Sequence, residues 1–143
     1  MAPADSHVTE KADSDLLPQI LFAEDNDHVA MAITPILEAS GFDVLRAING
    51  KVAVKLAKEH SLDLILMDVQ MPVMDGLEAI RQIRSLPDFA DTPIIALSGF
   101  AMPEDSSRCI EAGANSFVTK PCKMPELISK IRQVLSSCVT NIN

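Results

Sequence analysis

Apolar residues along the chain fall into five short runs, and segments with helical periodicity separate these runs. Each run has the length of a β-strand, too short for a membrane span. A run that is apolar on both sides of the strand is expected in a parallel sheet, which helices cover on both faces. The second run alternates apolar and polar residues, which indicates an edge strand. The predicted strands are residues 20–23, 42–47, 62–68, 92–97 and 115–119.

Between these runs, apolar residues recur three or four positions apart, the spacing of amphipathic helices. Gly41 and Gly113 are placed as stop signals after the first and fourth helical segments. Pro35 lies inside the first segment, where it removes a backbone hydrogen bond, and we expect a kink there. Five strands, each followed by a helix, predict a doubly wound α/β fold with a five-stranded parallel sheet and five helices. The predicted helices are residues 29–40, 50–59, 77–84, 103–112 and 125–136.

Acidic residues stand where two of the predicted strands end. Glu24 and Asp25 follow the first strand, and Asp68 ends the third. Because the carboxyl ends of parallel strands meet at one edge of a sheet, we expect these three carboxylates to lie close together. Such carboxylates raise one another's pKa unless a cation neutralises them, and an oxygen-only ligand set favours Mg²⁺ over Zn²⁺. Asn26 or Asp27 is expected to cap the helix that follows.

Two further strand ends carry polar groups to the same edge. Ser98 follows the fourth strand, and Lys120 follows the fifth. A serine or a lysine at one strand end carries little information by itself. An acid pair, a third acid, a hydroxyl and a lysine at four strand ends in this order form a far more specific pattern.

With these residues in place, the sequence resembles the receiver domain of response regulators in two-component signalling. The resemblance covers roughly residues 19–137. It extends to residues 71–76, which match the loop after the family's phosphoacceptor, and to Phe117, which matches the switch aromatic three residues before the lysine. It implies a flavodoxin-like sheet with strand order 2-1-3-4-5.

The resemblance also implies the roles of the strand-end residues. Asp68 would be the phosphoacceptor, and Lys120 would pair with it at rest and with the phosphoryl oxygens afterwards. Ser98 would donate a hydrogen bond to a phosphoryl oxygen, and its movement would let Phe117 turn inward as a two-state switch. The domain would catalyse its own phosphorylation and dephosphorylation without being a turnover enzyme.

The same resemblance implies a magnesium cofactor. Asp25, Asp68 and the backbone carbonyl of Gln70 would hold Mg²⁺, with Glu24 acting through a bound water. Gln70 and Phe100 occupy the two positions expected to tune the attack of water on the phosphoryl group. The phosphoryl donor would be a histidine kinase or a histidine phosphotransfer protein, and a downstream target would dock on the face formed by residues 103–136.

Length and composition fit one domain. The chain has 143 residues, 48% of them hydrophobic, and a net charge of −8, which argues against nucleic-acid binding. We expect a disordered N-terminal arm at residues 1–17, a receiver domain at residues 18–138 and a short tail at residues 139–143. No membrane association is expected. A cytoplasmic location is predicted because no metal or redox spacing connects the cysteines Cys109, Cys122 and Cys138.

Several alternatives remain open. A relay intermediate would use the same site with little conformational output, and a degenerate receiver would serve only for docking. A flavodoxin-like electron carrier would need a glycine-rich phosphate loop and aromatic residues, but the chain has no Trp or Tyr. A Mg²⁺-dependent aspartyl phosphohydrolase usually has an acid two residues after its nucleophile, where this chain has Gln70.

Overall fold

The computed structural model describes residues 17–99 and 103–142. Its strands are β1 (Gln19–Ala23), β2 (Asp43–Ala47), β3 (Leu64–Asp68), β4 (Ile94–Ser98) and β5 (Ser116–Thr119). Its helices are α1 (Asp27–Ala39), α2 (Gly50–Glu59), α3 (Gly76–Arg84), α4 (Pro103–Ala112) and α5 (Met124–Ile142), with a short 3₁₀ turn at Pro87–Phe89.

The five strands form one parallel sheet with the order β2-β1-β3-β4-β5. The predicted doubly wound, flavodoxin-like fold is therefore confirmed, with β2 at an edge as its alternating sequence indicates. Among the described residues, five α-helices cover the sheet, as expected from the five helical segments.

The helices divide the core into two layers, one on each face of the sheet. Along β3, Leu64 and Leu66 face the layer that α1 and α5 cover, whereas Ile65 and Met67 face the layer under α2, α3 and α4. All four side chains are fully buried. A central parallel strand that is apolar on both faces is thus held rigidly, and so is the residue at its end.

The strand register brings the polar strand ends to one edge. Asp68 on β3 pairs with Leu97 on β4, and Ser98 pairs with Thr119 on β5. Lys120 follows directly, and its backbone N–H donates a hydrogen bond of 2.6 Å to the Ser98 carbonyl. The backbone therefore fixes the relative heights of Asp68, Ser98 and Lys120 before any side chain is considered.

The start of α3 is packed against the end of β3. Asp75 caps the helix by accepting a hydrogen bond from the Glu78 N–H, 2.9 Å long. A Cβ atom added to Gly76 would lie 2.1 Å from the Asp68 carbonyl oxygen, so only glycine fits at this position. The Asp75-Gly76 pair therefore sets how closely the loop after Asp68 returns to the strand.

The helix boundaries differ from expectation mainly at the C-terminus. Helix α5 continues to Ile142, so the predicted helix end at Ser136 is wrong, and residues 139–142 are helical. The sequence after Ser136 contains no glycine or proline that would stop the helix. The domain limits of 18 and 138 stay a prediction, and residues 1–16 of the predicted arm lie outside the described residues.

Helix α1 runs without interruption through Pro35, and the kink stays a prediction. In the part of the chain that the structure describes, no helix combines the length and the apolar character needed to cross a membrane.

Candidate functional site

Three carboxylates converge at the edge where β1 and β3 end. Glu24, Asp25 and Asp68 each place a carboxylate oxygen within 4.8 Å of the other two. Glu24 is 1% exposed and Asp68 3% exposed, while Asp25 is open to solvent. The sequence prediction that these three acids meet is confirmed, and the arrangement has two buried carboxylates with a third at the opening.

One cation lies between the two buried carboxylates. The Lys120 ammonium donates to Glu24 Oε1 and to Asp68 Oδ2, both at 3.2 Å. The second oxygen of each acid is also occupied. Glu24 Oε2 accepts from the Asn26 N–H, and Asp68 Oδ1 accepts from the Gln70 N–H, both at 3.1 Å. The lysine therefore fixes the distance between the ends of β1, β3 and β5.

The pKa shifts follow from this burial and pairing. Burial raises the pKa of Glu24, and the nearby charge of Asp68 raises it further, although the Asn26 amide and Lys120 oppose the rise. Burial alone would lower the pKa of Lys120, but attraction to Asp68 and Glu24 outweighs it and raises that pKa. Lys120 is therefore charged at neutral pH.

Ser98 and Phe117 lie on the neighbouring strands β4 and β5, where Phe117 pairs with Ala96, two residues before Ser98. Ser98 is 1% exposed at the end of β4. Phe117 is half-buried on β5, where it packs against the core layer under α2, α3 and α4. Phe100, the predicted tuning residue, lies outside the described residues. The other tuning residue, Gln70, is exposed, and a Cβ atom on Gly99 would lie 3.5 Å from its side-chain oxygen.

The donor set suits a hard divalent cation. The three carboxylates supply only oxygen ligands, which favours Mg²⁺. Lys120 compensates only part of their charge, so an excess of negative charge remains at the opening beside Asp25. The residues present therefore fit a magnesium site.

Arg46 contributes contacts that the sequence did not reveal. Its Nε and Nη2 atoms donate to the Glu24 carbonyl at 3.1 and 2.7 Å, and its Nη1 donates to Asp27 Oδ1 at 2.7 Å. The sequence presented Arg46 only as a polar position of the edge strand. Alignment of β2 beside β1 would have indicated the contact, because Arg46 pairs with Phe22, two residues before Glu24.

Comparisons with known proteins agree with this geometry. The family model of the response regulator receiver domain matches residues 20–132. The polar-differentiation response regulator DivK of Brucella anthropi is 35% identical over 116 residues, which cover 81% of this chain and 94% of that protein.

Two solved structures share the fold of this chain and more than a third of its aligned sequence. One is the receiver domain of a sensor histidine kinase from Pseudomonas aeruginosa PAO1, with a magnesium ion coordinated in its active site cleft. It has 35% identity and a TM-score of 0.78, over 83% of this chain and 98% of that chain. The other is the signal receiver domain of a histidine kinase from Syntrophus aciditrophicus. It has 38% identity and a TM-score of 0.78, over 84% of this chain and 91% of that chain.

We expect Mg²⁺ to raise the thermal unfolding midpoint, because it relieves repulsion that Lys120 leaves among Glu24, Asp25 and Asp68. A free Mg²⁺ concentration of about a hundred times the dissociation constant would add about 2.7 kcal/mol to the free energy of unfolding. Asp25→Asn should remove most of this gain, as measured by calorimetric melts with and without Mg²⁺.

Asp91→Asn is the matched control, because it removes the same charge from an exposed position between the 3₁₀ turn and β4. That variant should respond to Mg²⁺ as the unsubstituted protein does. An unchanged midpoint of the unsubstituted protein at millimolar Mg²⁺ would count against the metal site.

Proposed function

Because this chain belongs to the response regulator receiver family, we propose that its Asp68 accepts a phosphoryl group from a phosphohistidine. The donor is a histidine kinase or a histidine phosphotransfer protein. The observation that carries the proposal is the setting of the Asp68 carboxylate. It is 3% exposed at the end of β3 and accepts hydrogen bonds from the Lys120 ammonium and the Gln70 N–H. Two more carboxylates, those of Glu24 and Asp25, lie beside it.

The transfer is a nucleophilic displacement at phosphorus. An oxygen of Asp68 forms a bond to phosphorus while the bond from phosphorus to the imidazole nitrogen breaks. The electron pair stays on that nitrogen, the donor histidine is regenerated, and Asp68 becomes an aspartyl phosphate. Each chain takes up one group, so the protein is not a turnover enzyme. The same site promotes phosphorylation by small phosphodonors and the later loss of the group to water.

Lys120 and Ser98 stabilise the charge that the transfer brings to the site. The Lys120 ammonium already touches Asp68, so it meets the phosphoryl oxygens without a long movement. The Ser98 hydroxyl donates to a phosphoryl oxygen from the end of the neighbouring strand. In phosphoryl transfer the protein supplies mainly such positioning and charge stabilisation, which matches the few groups available here.

Asp25, Asp68 and the backbone carbonyl of Gln70 are the proposed magnesium ligands, with Glu24 acting through a bound water. Support for a shared ion comes from the three carboxylates, whose oxygens lie within 4.8 Å of one another. When bound, Mg²⁺ neutralises charge on the carboxylates and on the phosphoryl oxygens.

Ser98 and Phe117 form the proposed switch. Movement of Ser98 toward a phosphoryl oxygen frees space near β5, and Phe117 turns inward from its half-buried position. The readout surface is the face of residues 103–136, where an unidentified target docks. Gln70 and Phe100 control how readily water reaches the aspartyl phosphate.

The cellular setting follows from the same proposal. The chain works in the cytoplasm, where histidine kinases present their phosphohistidine, and it binds neither membranes nor nucleic acid. The net charge of −8 supports the second point, because a nucleic-acid-binding domain usually carries a basic patch.

Incubation with acetyl phosphate and Mg²⁺ should add one phosphoryl group, and peptide mapping should place it on Asp68. Asp68→Asn should lose most of the label, since an amide cannot act as the nucleophile. Intact mass spectrometry measures both results. Asp88→Asn, which changes an exposed acid on the 3₁₀ turn, should be labelled normally. Full labelling of Asp68→Asn would refute the assignment; a weak residual label on a neighbouring hydroxyl would not.

The switch predicts a response far from the site. Beryllofluoride, a phosphoryl mimic, should shift backbone amide signals of residues 104–112 and 116–118 in NMR spectra. Ser98→Ala should still be phosphorylated, because the hydroxyl is not the nucleophile, but the remote shifts should shrink. Shifts confined to the neighbours of Asp68 and Lys120 would contradict the switch and favour the relay intermediate, which needs only the active-site face.

A further inference from the structure

Arg46 connects the edge strand to the loop that carries the acid pair. Its guanidinium holds the Glu24 carbonyl with two N–H groups and the Asp27 carboxylate with a third. The Arg46 side chain is 26% exposed, whereas that of Asp27 is 75% exposed. The two contacted residues, Glu24 and Asp27, lie before and after Asp25 in the sequence. Arg46 therefore holds the chain on both sides of the exposed carboxylate at the opening of the site.

The orientation of Asp25 depends on this loop. Within the described residues, no hydrogen bond or ion pair holds the Asp25 carboxylate itself. The carbonyl of Glu24 belongs to the peptide bond that leads into Asp25, and a guanidinium with two N–H groups on one oxygen restricts the rotation of that peptide plane. The chain enters the loop from β1, where the Glu24 N–H donates to the Ala47 carbonyl at 3.0 Å.

We infer that Arg46 is a positioning residue for magnesium binding, which acts by holding the Glu24–Asp25 peptide so that the Asp25 carboxylate faces Asp68. This inference rests on the proposed function, because it assumes that Glu24, Asp25 and Asp68 bind Mg²⁺. Residues outside the ligand set that orient ligands commonly change metal affinity about 10–100-fold when they are substituted.

If Arg46 acted only through its charge, its removal would change Mg²⁺ affinity in the opposite direction. A guanidinium beside the acidic loop repels Mg²⁺, so its removal would tighten binding if Arg46 acted only through its charge. If Arg46 positions Asp25, removal weakens binding despite the lost repulsion. The direction of the change in affinity therefore separates the two explanations.

The test is calorimetric titration of the full chain with Mg²⁺, for the unsubstituted protein and for Arg46→Gln and Arg46→Lys. We expect Arg46→Gln to weaken Mg²⁺ binding about tenfold. Arg46→Lys keeps the charge but loses the planar, multi-donor geometry, so it should also weaken binding. Arg81→Gln is the matched control, because its guanidinium contacts Glu78 on its own helix, and it should bind Mg²⁺ normally.

Two further readouts separate positioning from a general loss of stability. The thermal midpoint without Mg²⁺ reports the stability of each fold. Labelling by acetyl phosphate should require more Mg²⁺ in Arg46→Gln, yet its rate at saturating Mg²⁺ should approach that of the unsubstituted protein. A lowered midpoint with unchanged affinity would mean that Arg46 only supports the fold, and this would overturn the inference.

The remaining outcomes are also decisive. Tighter Mg²⁺ binding by Arg46→Gln would show that charge dominates, and it would overturn the inference while leaving the proposed function intact. If Arg46→Gln does not fold, Arg46→Lys alone decides, and affinity equal to that of the unsubstituted protein overturns the inference. Absence of Mg²⁺ binding by the unsubstituted protein would refute the proposed magnesium site and the inference with it.

Discussion

The site depends on one ammonium group between two buried carboxylates. Burial of a carboxylate is costly unless charge and hydrogen bonds compensate it, and Glu24 and Asp68 share the compensation that Lys120 provides. Removal of one partner from a buried ion pair costs about 3–5 kcal/mol, and less here because the Lys120 side chain is 29% exposed. The lysine thus ties the ends of three strands together and holds the buried Asp68 carboxylate in place at the end of β3.

The scaffold makes this arrangement possible, and most of it could be predicted from the sequence. Apolar runs that end in Glu24, Asp68, Ser98 and Lys120 predict both the parallel sheet and the meeting of these residues at one edge. This works because strand register is set by backbone pairing, which places successive strand ends at similar heights. The two core layers confirm that β3 is buried on both sides, so the position of Asp68 is fixed by rigid structure rather than by a flexible loop.

Features that depend on tertiary contacts could not be predicted in this way. Val73, in the loop after Asp68, has a φ of +70°, a conformation that a β-branched residue rarely adopts and that no local pattern indicates. The contacts of Arg46 join strand β2 to the loop residue Glu24 and to Asp27 at the start of α1, and hydrophobic periodicity carries no information about such contacts. The end of α5 predicted at Ser136 is wrong because amphipathic spacing does not mark a helix end, and no glycine or proline after Ser136 supplies a stop signal.

The most direct test of the central claim is the shift in thermal midpoint that Mg²⁺ produces in Lys120→Met compared with the unsubstituted protein. Without the lysine, repulsion among Glu24, Asp25 and Asp68 is unrelieved, so a divalent cation has more to neutralise. The account predicts a lower midpoint for Lys120→Met without Mg²⁺ and a larger rise when Mg²⁺ is added. An equal or smaller rise in Lys120→Met would contradict the claim that lysine and magnesium compensate the same buried charges.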